Sequence, residues 1–213
     1  MRRSVLEIVV VAIVLIMSSG AARAMAPHLD IVAEGGFTLG SDAQEVSLSN
    51  GDMRGFQGQD VLGIESRVSA LPWSSFVAVS YKVGGLLDVG DPEGFESFLK
   101  LRTQFIQVVV GRDVRLGAAT LSLGLGYSYV TDRFTLKSGG RSLELHEERG
   151  SGGLLGARVL APLVGPVSVL WDYQLLIRPS VAASGRLGSI ATYGIRQGSV
   201  HHFVMGGLSI RVI

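Results

Sequence analysis

The chain has 213 residues, 47% hydrophobic and 17% charged, with a mean hydropathy of +0.39, which excludes a disordered polymer. After residue 17 no apolar run reaches the roughly 18 to 20 residues of a membrane-crossing helix, so strands have to carry the apolarity. A formal charge of +1 gives no reason to expect nucleic acid, and the lack of cysteine removes disulfides, thiolate metal sites and thiol nucleophiles together.

At the N-terminus, Arg2 and Arg3 precede an apolar run from Ile8 to Met17, and Ala22-Arg23-Ala24 forms an A-x-A site. This pattern predicts a secretory signal peptide over residues 1–24, cleaved between Ala24 and Met25, ahead of one domain over 25–213. Removal of Arg2, Arg3, Arg23 and Glu7 leaves 16 basic and 17 acidic side chains, so the excess of positive charge belongs to the leader.

Beyond the leader the hydrophobic period is two. Leu29, Ile31, Ala33, Phe37 and Leu39 alternate with Asp30, Glu34 and Thr38. Leu62, Ile64 and Val68 oppose Glu65, Arg67 and Ser69, and Val77, Val79, Tyr81 and Val83 oppose Ala78, Ser80 and Lys82. Leu99, Leu101, Thr103 and Phe105 oppose Lys100, Arg102 and Gln104, after which the alternation blurs over 106–110 and predicts a bulge there. The cleanest segment sets Leu121, Leu123, Leu125, Tyr127 and Tyr129 against Thr120, Ser122, Gly124, Gly126 and Ser128. Leu155, Ala157 and Val159 then oppose Gly156 and Arg158; Val167, Val169, Trp171, Tyr173 and Leu175 oppose Ser168, Asp172 and Gln174; Leu208, Ile210 and Val212 oppose Ser209 and Arg211.

These segments make eight strands. Short connections at about 71–74, 111–117 and 162–166 alternate with long ones at about 41–58, 84–97, 131–149 and 179–199. All six prolines fall at strand ends, turns or loops, where a missing N–H breaks no ladder.

Eight long antiparallel strands, alternating short and long connections and a signal peptide resemble the small eight-stranded outer-membrane barrels of Gram-negative bacteria, the OmpA, OmpX and OmpW-like group. The resemblance spans the mature chain and rests on architecture. It implies an all-β, up-and-down transmembrane barrel with periplasmic termini and short turns, long outer loops, and contact with outer-membrane lipid. The last strand fits the family pattern, but the chain ends in Ile213 where that pattern has an aromatic residue.

A soluble lipocalin-like barrel would turn the apolar face inward around a ligand. Thr120, Ser122, Gly124, Gly126 and Ser128 would make a poor soluble exterior, whereas small residues suit the crowded lumen of an eight-stranded barrel. The outward apolar face then carries Tyr81, Tyr127 and Tyr129 toward the long-loop ends, where an aromatic girdle belongs. Glu34, Glu65, Arg67, Lys82, Lys100, Arg102, Arg158, Asp172 and Arg211 share the parity of the small residues and are expected in the lumen as an ionic network. A turn near Pro72 that pairs residue 65 with 80 makes Glu65 and Lys82 diagonal neighbours, and the turn near 162–166 does the same for Arg158 and Asp172.

Signals for chemistry are weak. His146-Glu147-Glu148 matches no helical H-E-x-x-H site, and His201 and His202 point to opposite faces of a strand. Asp88, Asp91 and Glu93 fit no calcium loop. The serine that follows the histidine by two residues in outer-membrane deacylases is replaced by Glu148 and Val204 after His146 and His202. No enzyme activity, cofactor or metal is expected. The function expected is a structural or surface-interaction barrel with a salt-bridged lumen; the alternative is a narrow passage for small or hydrophobic solutes, and the partners are lipid and extracellular or small hydrophobic ligands.

Overall fold

A computed structural model describes residues 28–48, 53–71, 74–85, 97–138, 141–187 and 191–212. Ten strands account for nearly all of them: β1 (His28–Leu48), β2 (Met53–Leu71), β3 (Ser75–Gly84), β4 (Ser97–Leu116), β5 (Ala119–Ser138), β6 (Arg141–Val164), β7 (Val167–Ile177), β8 (Val181–Leu187), β9 (Ala191–Gln197) and β10 (Val200–Arg211). Strands β1 to β7 pair in sequence, β10 pairs with β7, and β10 returns to β1, all antiparallel. The result is a closed eight-stranded barrel. The hairpin of β8 and β9 extends its rim, with β9 pairing against Glu45, Val46, Ser47 and Leu48 of β1.

Turn chemistry sets the short-connection end. Gly117 (φ 64°) and Gly165 (φ 55°) lie in the two-residue turns β4–β5 and β6–β7, where a left-handed backbone costs glycine least. Pro162 coincides with a shift of register against β7 between Pro162 and Val164, so its missing N–H falls at an irregularity in the ladder.

The barrel is apolar outside and charged inside. Ile31, Phe37, Ile64, Leu123, Trp171 and Ile210 are among many large apolar side chains exposed on the outer wall, while Glu34, Glu65, Arg67, Lys82, Arg158 and Asp172 are buried. Parity along β1, β2, β3, β5 and β7 follows the alternation of the sequence.

Two expectations are corrected. Connections expected at 41–58, 131–149 and 179–199 are largely strand, so the strand count is ten, with eight in the barrel; residues 86–96, in the remaining long connection, lie outside the described residues. In β5 the ladder continues there because the inward positions go on being buried, Asp132 and Phe134 inside against Arg133 outside, although Asp132 is charged and so hides the alternation of polarity. The second correction is β4, whose register runs without a shift against both β3 and β5, so the expected bulge at 106–110 is absent. Leu101, Thr103 and Phe105 point into the lumen and Arg102 is exposed on the outer wall. This inward face mixes apolar Leu101 and Phe105 with polar Thr103 and Gln107, so polarity does not sort the two faces of the strand.

Closure needs glycine at the seam. A Cβ added at Gly36 would run into the carbonyl of Val204, and one added at Gly207 into the carbonyl of Ala33. Gly207→Val should therefore lower unfolding free energy by about 1–3 kcal/mol, the usual cost of overpacking. Gly150→Val, which meets nothing within 4 Å, should change it by about 0.5 kcal/mol or less; urea unfolding of the two variants checks the difference.

Candidate functional site

The lumen is built in tiers, each supplied by inward positions of several strands. At the short-turn mouth, Asp30 on β1 lies 3.3 Å from His28 Nε2 and 3.4 Å from Arg211 Nε. Arg211 is half-exposed at this mouth, 52% by side chain. Above it, the Arg67 guanidinium of β2 pairs with Asp113 on β4, donates to Ser122 Oγ on β5 at 3.0 Å, and stacks 3.8 Å over the Phe76 ring. His28, Asp30, Arg67, Asp113 and Arg211 line a polar vestibule of about 450 Å3 that also carries Arg115.

The central tier is the densest. Arg158 on β6 donates to Asp172 Oδ2 at 2.8 Å, to Glu65 Oε2 at 3.0 Å and to Glu34 Oε2 at 3.3 Å, and so gathers carboxylates from β7, β2 and β1. Lys82 on β3 sits 2.7 Å from Glu34 Oε1 and donates to Gln174 Oε1 at 3.0 Å, while Gln174 donates to Asp172 at 2.7 Å. Three carboxylates thus meet two cations, all inside the wall. Between this tier and Arg67 is a void of about 20 Å3, room for one water.

An apolar tier follows. Phe105 and Phe203 meet edge to face at 5.0 Å between centroids, packed with Val61, Val130, Leu154, Leu176 and Met205. Beyond it Asp132 accepts from Thr103 Oγ1 at 2.8 Å and pairs with Arg178 Nη1 at 2.6 Å, and Arg178 Nε reaches His201 Nε2 at 3.1 Å.

Of the nine charges expected in the lumen, Glu34, Glu65, Lys82, Arg158 and Asp172 come together, Arg67 forms its own tier and Arg211 stands at the mouth. Lys100 is in β4 opposite Thr135, with its side chain outside the described residues. Arg102 is a correction: it faces outward opposite Arg133, because the inward positions of β4 are the odd ones, from Leu101 to Asp113. Register across the β2–β3 turn pairs Glu65 with Ser80, which makes Lys82 diagonal to Glu65 as expected. The ion pairs nonetheless differ: Lys82 turns to Glu34 and Glu65 crosses the lumen to Arg158. Arg158 and Asp172 are direct cross-strand partners, one step closer than diagonal.

Asp113, Asp132, Arg178 and His201 complete the tiers and were missed as site residues. Asp132 continues the even parity of Ser122 and Ser128, and Arg178 that of Asp172, so extending the alternation past the apparent strand ends finds both. Tyr81 and Tyr129 face outward on either side of Ile106 in one ladder row, with Tyr127 two residues nearer the short turn. Trp171 and Tyr173 share this outer face, and Tyr173 Oη lies 2.7 Å from His202 Nδ1. His146 Nε2 is 3.1 Å from Glu148 Oε2. The cleavage position Ala24–Met25 lies outside the described residues.

No family model and no curated protein matches the chain. Among solved structures it is similar to Neisserial surface protein A, at 14% identity over 86% of this chain and 97% of that one, with a TM-score of 0.50. It is also similar to a major outer membrane protein from Thermus thermophilus, at 12% identity over 88% of this chain and 100% of that one, with a TM-score of 0.60. The chain has the fold of the small outer-membrane barrels.

The pairing scheme sets the energetics. Arg158→Met leaves three buried carboxylates with one cation and should cost about 3–5 kcal/mol. In double-mutant cycles Arg158→Met should couple to Glu65→Gln by about 1 kcal/mol or more, and Lys82→Met should couple to Glu34→Gln in preference to Glu65→Gln. Additive free energies in both cycles would contradict the geometry.

Proposed function

We propose that the protein is an integral outer-membrane β-barrel with a structural or surface-interaction role, its lumen closed by the salt-bridged and aromatic tiers. The observation that carries this reading is the inverted polarity of the wall. A soluble barrel hides apolar side chains and shows charged ones; here Leu62, Ile64, Val79, Ile106, Leu123, Leu155, Trp171 and Val204 are exposed around the circumference while the ionic groups are enclosed. Lipid is the solvent for which such a wall is matched, and a closed barrel satisfies every backbone group within it. Delivery through the periplasm by the leader ending at Ala24 belongs to the same proposal, as does the orientation with short turns in the periplasm.

Closure of the lumen is supported by Phe105, Phe203 and Met205, buried directly beside the Lys82–Glu34 pair, and by a central void with room for a single water. These features favour a plugged barrel over a passage. A non-enzymatic role is the companion proposal, supported by the sequence: Glu148 and Val204 stand two residues after His146 and His202, where the outer-membrane deacylase pattern has a serine.

Planar-bilayer recording tests the closed lumen, with the wild type expected to show no steady conductance and sustained wild-type currents refuting it. Leu123→Arg, on the lipid-facing wall, should cost about 2–4 kcal/mol if the residue lies near the bilayer midplane, measured by unfolding from vesicles. A cysteine at Glu144 should be labelled on intact cells and one at Ala118 should be protected; the opposite pattern overturns the orientation.

A further inference from the structure

Past the tyrosines the outer wall of β4, β5 and β6 turns from apolar to cationic. Tyr129 faces outward opposite Ile106; two positions on, Thr131 is opposite Arg149, and two further Arg133 lies between Arg102 on β4 and Glu147 on β6. At about 3.3 Å per residue these rows begin roughly 7 and 13 Å along the strand beyond Tyr129. Arg102, Arg133 and Arg149 are all exposed.

The arginines are held in place. Glu147 accepts from Arg133 Nη2 at 2.8 Å and from Arg149 Nε and Nη2 at 2.9 and 2.7 Å. Glu144 lies 3.6 Å from Arg133 Nε, and Arg102 makes no ion pair among the described residues. Hydrogen bonds from Arg133 and Arg149 hold the Glu147 carboxyl below its usual range, so it stays ionised as the clamp between them. Among the described residues, three guanidiniums stand against two carboxylates on this wall, an excess of one positive charge.

We propose that this wall docks the phosphate groups of anionic lipid in the leaflet at the long-loop end, with Arg102 as the open cation and Arg133 and Arg149 set by Glu147. The assignment rests on the transmembrane reading above. It follows from position as much as from charge: the side chains project sideways from the barrel, just past the aromatic row, at the height of headgroups. A planar guanidinium fork is the side chain best matched to phosphate oxygens, and all three cations are arginine. An anion approaching from bulk water would meet the rim hairpins; a lipid already beside the wall meets these groups directly.

The test uses full-length mature protein refolded into nanodiscs of phosphatidylcholine, with or without about one part in ten of phosphatidic acid, and counts retained phosphatidic acid by native mass spectrometry. Each of Arg102→Gln, Arg133→Gln and Arg149→Gln should weaken retention roughly fivefold, the effect of one basic side chain near an anionic leaflet. Glu147→Gln should strengthen it, and millimolar inorganic phosphate should not displace the lipid. A triple variant that inserts normally and retains phosphatidic acid like the wild type overturns the docking site and leaves the barrel reading intact. A wild type that fails to insert into phosphatidylcholine alone counts against the transmembrane reading itself.

Discussion

Pairing of β1 with β10 over Asp30–Gly40 and His201–Arg211 is the contact on which the rest of the molecule depends. Until it forms, two edge strands carry unpaired N–H and C=O groups that lipid cannot satisfy, each at a cost of several kcal/mol. Its formation also fixes the diameter, and with it how much space each inward side chain has. Gly36 and Gly207 lie at this seam because the facing carbonyls leave no room for a Cβ. Packing in the lumen is thus a consequence of closure, and closure in turn is braced from inside.

The bracing is electrostatic and long in sequence. Arg158 joins Glu34 across 124 residues and Glu65 across 93, and Lys82 reaches Gln174 across 92. Ties of this span form only once the strands have assembled, so they stabilise the finished barrel more than its nucleus. Every one of the eight barrel strands contributes to a tier: Arg67 links β2 to β4 and β5, Arg158 links β6 to β1, β2 and β7, Lys82 adds β3, and Arg178 reaches His201 on β10. Removing charge from such a network is costlier one residue at a time than in pairs, because what remains is buried.

The same span explains what could be read in advance. Parity along β5 is legible because Thr120 to Ser128 and Leu121 to Tyr129 sort into small and large residues, and closure leaves space only for the small. The β2–β3 register is equally legible, since the short turn near Pro72 sets Glu65 opposite Ser80. Partners were not legible: diagonal geometry offers Lys82 to Glu65, but Arg158, 93 residues away, presents a bidentate fork to Glu65 and leaves Lys82 to Glu34. No local rule predicts a choice made across the lumen. Arg102 fails for a different reason. On its strand Leu101, Thr103, Phe105, Gln107, Val109 and Asp113 all face the lumen, so polar and apolar side chains mix on the inward face and polarity alone does not reveal the parity of β4.

The outer wall is divided along the axis. From the short turns up to Ile106 and Tyr129 it is apolar, and further on it carries Arg102, Arg133, Glu147 and Arg149, while the lumen still pairs Asp132 with Arg178 beyond Phe105 and Phe203. The ladder of β5 and β6 runs on past this change to Ser138 and Arg141. Extending a hairpin already paired adds backbone hydrogen bonds without a new closure cost, and it carries charged side chains past the apolar band on a rigid support. In the closed-lumen reading proposed above, contacts with the surroundings fall to these extended rims and to the outer wall just beneath them.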